Sequence, residues 1–176
     1  AEDAVLCPSD MMLCVISYWV LSGAKRRQIQ QLRCCVLSQQ AVEMKKAPID
    51  TIFPQGEPNP YGKFFTGQTY LSRLSAKDDV FNAPLANVTF EPGARTNWHK
   101  HSGGQILLVL SGEGRYQEKG GKLNILHRGD IVRIAPNIEH WHGAAPDSWF
   151  THISLETNVP NNSTEWLNPV TDKEYK

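Results

Sequence analysis

Short segments rich in β-forming residues follow one another from Phe64 to Glu156, and each ends at glycine, proline or asparagine. None of them keeps an apolar period of about 3.6 residues long enough for a helix. Many short strands separated by evenly spaced turn residues indicate a sandwich, barrel or jelly roll. The sequence therefore predicts an all-β domain, with strands at 65–71, 86–90, 97–101, 105–111, 114–118, 123–126, 130–134, 139–144 and 149–156.

The first 43 residues differ from the rest of the chain. All four cysteines lie there, whereas the later residues contain none. The apolar run Met11–Leu21 is shorter than the about 20 residues that a membrane span needs. We expect residues 1–43 to be a leader or non-native extension outside the fold, and the domain to occupy 44–176 with its core at 60–157. The alternative is a short helical arm that packs on the domain or on a partner chain.

Charge and cysteine usage exclude several classes of partner. The chain has 18 lysines and arginines and 18 aspartates and glutamates. A net charge of zero argues against nucleic-acid binding and gives no reason to expect an anionic membrane surface. Because the domain has no cysteine, we expect a cytoplasmic protein. The segment Gln105–Leu110 is apolar on both faces, which predicts cover by a second copy in a homodimer or higher homo-oligomer. The residues after Asn158 are expected to wrap the surface.

Histidines cluster in the second half as two His-x-His pairs, His99/His101 and His140/His142. Alternate residues of a strand share one face, so each pair presents two imidazoles together. Gln105 begins the strand after the first pair, and a carboxamide oxygen can complete a mixed nitrogen and oxygen shell. The pattern predicts a site for manganese, iron, nickel, copper or zinc.

The spacing resembles the two motifs of the cupin family, with glutamine where glutamate is usual. The residues that carry the likeness are Gly93, His99, His101, Gln105 and Gly112, then Gly129, Pro136 and His140. Ala135, Asn137 and Ala144 depart from the second motif without touching a ligand position. The resemblance implies a small jelly-roll β-barrel with a metal in its mouth, held by His99, His101, Gln105 and His140.

The segments 88–96, 98–99, 104–105 and 140–146 look like the manganese-dependent hydroxynitrile lyase cupins, as does the ending 165–172. In those relatives the positions matching Thr96, His142 and His152 line the pocket. The resemblance implies a lyase that cleaves a small 2-hydroxynitrile, or a related hydroxyl or carbonyl compound, with Mn(II) or Fe(II) favoured over Ni or Zn. His142 or His152 would take the hydroxyl proton. The alternative for His142 is a supporting hydrogen bond behind the ligands.

Neutral donors also bear on the reaction. Three imidazoles and one amide leave the charge of a divalent ion uncompensated, which favours stabilisation of an oxyanion over oxygen chemistry. Glu156 departs from the lyases, where a neutral amide is commoner, and so points to a different substrate. The competing functions are an iron or manganese dioxygenase and a non-catalytic metal or small-ligand sensor.

Five further side chains have predicted structural roles. Trp98 and Trp141 alternate with the ligand histidines along the chain, so we expect them in the core. His127 is expected in solvent. Arg95 and Lys100 are expected either to rim the cavity or, more simply, to solvate the strand ends.

Overall fold

The computed structural model describes residues 47–48, 50–76 and 80–176. The extension predicted at 1–43 lies outside the described residues, so the domain boundary at residue 44 stays a prediction. No helix within these ranges is long and apolar enough to cross a membrane.

Thirteen strands form in the described part of the chain. They are β1 (Glu57–Pro58), β2 (Phe65–Thr66), β3 (Thr69–Ser75), β4 (Leu85–Phe90), β5 (Arg95–Thr96), β6 (His99–His101), β7 (Gln105–Gly112), β8 (Gly114–Glu118), β9 (Asn124–Leu126), β10 (Ile131–Ile134), β11 (His140–Ala144), β12 (Phe150–Glu156) and β13 (Thr164–Trp166). A 3-10 turn (Gly62–Phe64) precedes β2, and one helical turn, α1 (Asp172–Tyr175), lies near the C-terminus.

The strands form two antiparallel sheets. One sheet has the order β1-β3-β4-β12-β7-β10, and the other β13-β6-β11-β5-β2, with β8 pairing with β11 and β9. Apolar side chains of both sheets form one core cluster, which includes Phe90, Leu107 and Phe150 of the first sheet and Tyr116 and Ala144 of the second. This arrangement is the predicted all-β jelly roll, and it leaves the inward polar residues beside that core.

Two predicted strands have different bounds in the structure. The segment 65–71 divides into β2 and β3 because Gly67 adopts a φ of 79°. A side chain at Gly67 would also meet Ala94, 3.0 Å from its Cβ position. The segment 97–101 is shortened at its start: the backbone N–H of Trp98 donates to the Asn168 carbonyl in the tail, 3.0 Å away, and β6 begins only at His99.

The tail lies over the outside of the second sheet, as expected, with most of its residues exposed or half-buried, and it is also part of the fold. Strand β13 pairs with β6, so the tail extends the second sheet. Val170 and Tyr175 then join Trp98 and Trp141 in a second buried cluster. The two tryptophans are 5% and 0% exposed, which confirms their predicted place in the core.

Arg95 neither rims the cavity nor solvates a strand end, so both expectations for it were wrong. Its side chain is buried, and its Nη2 donates to the Val170 carbonyl (3.1 Å) and to Asp172 (2.7 Å). The guanidinium also lies over the Tyr175 ring, 4.5 Å from the centroid. Arg95 therefore joins β5 to the tail.

Three other expectations concern the surface. Lys100 forms an ion pair with Glu165 on the neighbouring strand (3.1 Å), and His127 is exposed as predicted. On β7, Gln105, Leu107 and Val109 are buried, while the residues that alternate with them are half-buried within this one chain. The homodimer stays a prediction.

Candidate metal centre

Two strands that are distant in sequence bring the histidine pairs together. Strands β6 and β11 are antiparallel neighbours, and His99 lies directly opposite His140. Their ring centroids are 4.2 Å apart, and those of His99 and His101 are 5.2 Å apart. Residues directly opposite each other in an antiparallel pair share a face, so the register alone brings both pairs to the interior.

Three of these imidazoles are held through Nδ1. His99 Nδ1 donates to the Asn97 carbonyl and His140 Nδ1 to the Ile138 carbonyl, each at 2.9 Å. A carbonyl only accepts, so both rings carry their proton on Nδ1 and keep the lone pair of Nε2. His101 Nδ1 lies 3.1 Å from the Thr164 hydroxyl. Metal-binding histidines in proteins are typically oriented in this way.

Gln105 brings an oxygen to the same point. Its amide Nε2 donates to Ser154 Oγ (2.9 Å), which leaves Oε1 3.4 Å from His140 Nε2. Both of these atoms offer lone pairs, so no hydrogen bond joins them. Ligand bonds of about 2.1 Å to a shared cation would separate two ligand atoms by about 3.0–3.4 Å. The buried Nε2 of His101 also has no hydrogen-bond partner in the described structure. These donors fit a divalent metal ion.

Burial keeps the imidazoles neutral. It is the largest cause that lowers the pKa of His101 and of His140 to about 4. The pKa of His99 lies well below its ordinary value because of burial and of the neighbouring His140 and His101. Neutral imidazole is the form that binds metals, so these rings need no deprotonation near pH 7.

His142 competes with His101 for the third imidazole position. Ligand atoms of His99, His140 and His142 lie within 4.8 Å of one another, which is close enough to hold one ion. His142 Nδ1, however, is buried without a partner among the described residues, whereas His101 Nδ1 is held by Thr164. The oriented ring of His101 is the better candidate ligand, because an unanchored imidazole is free to turn away from an ion.

The three residues expected to line the pocket lie around one cavity of about 290 Å³. His142 and His152 are in ring contact, with centroids 4.9 Å apart. Both nitrogens of His152 are buried without partners in the described structure, and burial lowers its pKa to about 4. Thr96 has a second role, because its hydroxyl accepts the backbone N–H of His142 at 3.1 Å.

The cavity wall includes most of the predicted site. His99, His101, Gln105 and Glu156 line it, whereas His140 is fully buried and faces Gln105. Sequence reasoning missed several lining residues, among them Asn59, Tyr61, Arg73, Thr164 and Trp166. Trp166 packs against His99 in a tilted arrangement, with ring centroids 4.8 Å apart. No local pattern marks these residues, since sheet pairing brings them to the cavity.

The fold and the site define the class of protein: the chain belongs to the cupin family. The cupin domain family matches residues 86–149. A curated relative from Granulicella tundricola, an (R)-mandelonitrile lyase, is 41% identical over 64% of this chain and 86% of its own length. The predicted relationship to the hydroxynitrile lyase cupins is thereby confirmed.

Solved structures agree on the fold. A cupin-like protein from Thermotoga maritima superposes with a TM-score of 0.69 at 49% identity, over 72% of this chain and 95% of that one. A cupin 2 conserved barrel domain protein from Rhodopseudomonas palustris has a TM-score of 0.54 at 14% identity, over 67% and 78% of the two chains. At that identity the second likeness concerns the fold alone.

Proposed function

We propose that this protein is a metal-dependent lyase that cleaves the bond between a hydroxyl-bearing carbon and cyanide, or a related carbon leaving group. The observation that carries the proposal is a neutral set of donors beside two more buried histidines in a small cavity. The (R)-mandelonitrile lyase relative supports the same reaction class. Mn(II) or Fe(II) are the proposed ions, before Ni or Zn, as the likeness to the manganese-dependent hydroxynitrile lyase cupins implies; a mixed imidazole and amide shell can hold any of them.

His99, His101, Gln105 and His140 would hold the ion. When bound, a divalent ion supplies positive charge that stabilises negative charge on a substrate oxygen. The neutral amide of Gln105 leaves more of that charge for the substrate than a carboxylate would. Thr164 and the carbonyls of Asn97 and Ile138 keep the rings oriented.

His142 or His152 would accept the hydroxyl proton of the substrate and later return it to the leaving group. In the cleavage direction, an unpaired ring nitrogen of one of them accepts the hydroxyl proton of the substrate. The oxygen–carbon bond then gains its second pair as the carbon–carbon bond breaks, and cyanide leaves with the electron pair of that bond. The protonated imidazole returns the proton to cyanide, so the products are an aldehyde and hydrogen cyanide. Thr96 fixes the backbone of His142 during these steps.

The test combines elemental analysis of the protein as isolated with an assay of mandelonitrile cleavage, followed by the absorbance of benzaldehyde. We expect His99→Ala and His140→Ala to lose the metal and the activity, whereas His142→Ala keeps the metal and loses turnover. His127→Ala is the matched control, because His127 is exposed and the substitution is the same. Full activity of the metal-free protein would refute the proposal. Substrate-dependent consumption of oxygen would instead support the dioxygenase, and tight binding without turnover the sensor.

A further inference from the structure

One end of the cavity is lined by three polar residues that the proposed reaction does not use: Asn59, Tyr61 and Arg73. Arg73 lies on β3, and Leu71 and Ser75, two residues to either side of it, line the same cavity. Its Nη2 donates to the Tyr61 hydroxyl oxygen at 3.2 Å. Tyr61 is 45% exposed, so this end is the one that meets solvent.

All three side chains present hydrogen-bond donors. The Oδ1 atom of Asn59 accepts the backbone N–H of Tyr61 at 2.9 Å, which fixes the orientation of the amide. Its Nδ2 group is buried and has no partner within the described structure, and the residue is 8% exposed. The Tyr61 oxygen already accepts from Arg73, so the hydroxyl hydrogen is available to donate.

Arg73 also has no acidic partner among the described residues. Among the ion pairs of the described residues, the basic members are Arg95, Lys100, Lys119 and His127. A guanidinium, a phenol and an amide N–H group that line one end of a cavity, with no acidic side chain paired to them in the described structure, form a site for an anion, and the planar guanidinium suits a carboxylate in particular.

The strand register relates this end to the metal centre. Arg73 lies opposite Ala86 on β4, and Ala86 lies opposite Ser154 on β12. Ser154 in turn accepts from Gln105, a proposed ligand. With strands spaced about 4.8 Å apart, the backbones of Arg73 and Ser154 are about 10 Å apart. Ala86 has only a methyl group, so one small molecule has room to reach from Arg73 to the Gln105 side.

Glu156 orients such a molecule. Among the residues that line the cavity, Arg73 and Glu156 have side chains that ordinarily carry a charge at neutral pH. Glu156 lies opposite Gln105 in the strand register. No ion pair joins it to Arg73 in the described structure. The cation and the carboxylate therefore lie apart, and an anionic group is attracted to the Arg73 end and repelled from the Gln105 end.

We infer that Asn59, Tyr61 and Arg73 bind a carboxylate of the substrate, while the reacting hydroxyl or carbonyl group lies at the metal centre. The natural substrate is then a short molecule with a carboxylate at the opposite end from the reacting group. This inference rests on the proposed function for the place of the reacting end, and it narrows the substrate to the class of hydroxy or oxo acids.

The test measures binding of two probes of equal length, 4-hydroxybutanoate and its uncharged amide, to the metal-loaded protein by calorimetry. A charge-assisted hydrogen bond predicts that the wild type binds the carboxylate at least about tenfold more tightly. Arg73→Gln should remove the difference. Asn59→Asp keeps the acceptor for the Tyr61 N–H but replaces the unpaired donor. This variant should also lose the preference for the carboxylate. Arg128→Gln, an equal change of charge at an exposed turn, should keep it.

Equal binding of the two probes by the wild type, or an undiminished preference in Arg73→Gln, would overturn the inference. Thermal melting of each variant establishes that it is folded. A carboxylate preference that depends on Arg73 in a protein without lyase turnover would refute the proposed reaction and keep the anion site. Turnover of mandelonitrile, which is uncharged, by a protein that shows no preference for the carboxylate would refute the anion site and keep the proposed reaction.

Discussion

The Thr164 hydroxyl should set the affinity of the metal centre, because it is the side-chain contact that holds the His101 ring. Oγ1 lies 3.1 Å from Nδ1, while the buried Nε2 of the same ring has no hydrogen-bond partner in the part of the chain that the structure describes. Thr164→Val removes the hydroxyl and leaves the β-branched shape. His101 would then be free to rotate, and an ion would have to order the ring on binding.

Two estimates of the size of this effect agree. A neutral hydrogen bond contributes about 0.5–1.5 kcal/mol, and the loss of a group that orients a metal ligand weakens affinity by about 10–100-fold. Since Thr164 is half-buried and uncharged, the lower end of the affinity range applies, where it meets the upper end of the range for a hydrogen bond. We expect the Kd for Mn²⁺ to rise about tenfold, which is about 1.4 kcal/mol.

The assay is competition for Mn²⁺ and Zn²⁺ against a fluorescent chelator. Glu165→Gln is the matched control, because its side chain is 61% exposed on the same strand and pairs with Lys100 at the surface. His101→Ala should weaken binding more than Thr164→Val, and His142→Ala less. Wild-type affinity in Thr164→Val together with loss of metal in His142→Ala would refute the reasoning and identify His142 as the third imidazole.

Three further predictions concern charge, the tail and a tight turn. Gln105→Glu should retain metal on elemental analysis but lower kcat, because the added carboxylate offsets the charge of the ion; an unchanged kcat would contradict this. Arg95→Met should lower the free energy of unfolding in urea by about 1.5–3 kcal/mol, since the Val170 carbonyl loses a charged donor; a shift below about 0.5 kcal/mol would contradict it. Gly112→Ala should lower Tm sharply in calorimetry, because φ is 77° and the new Cβ would lie 1.8 Å from the Trp149 carbonyl oxygen; an unchanged Tm would show that the turn can relax.

The class of fold and the position of the histidine pairs could be predicted because both depend on local signals. Strand alternation places His99 and His101 on one face, and Gly112 ends β7 with a positive φ that favours glycine. The interruption between β2 and β3 at Gly67 and the late start of β6 after Trp98 could not be predicted. They depend on contacts with Ala94 and with Asn168, and the segments that bring these partners are set by tertiary packing.

Arg95 and the tail illustrate the same limit. A charged residue at a strand start normally points to solvent, and composition after Asn158 suggests a surface segment. Here the tail supplies a carbonyl and a carboxylate that together pair with the guanidinium. These two partners of Arg95 lie 75 and 77 positions away from it in sequence. The donors Asn59, Tyr61 and Arg73 escaped prediction for the same reason, since only the pairing of β3 with β4 brings Arg73 to the cavity.

The candidate metal centre depends more on the register of β11 against β6 than on any one ligand. Side chains alternate between the faces of a strand, so a shift of β11 by one residue against β6 would turn His140 and His142 outward and bring Trp141 inside. Trp141 resists that shift, because it is fully buried on the outer face and its Nε1 donates to Gln117 at 3.0 Å. The tail covers that face through Val170 and Tyr175. The second cluster, which contains none of the proposed ligands, therefore fixes which face of β11 the histidines occupy. Arg95→Met, which is expected to destabilise this cluster, should therefore weaken metal affinity as well as stability.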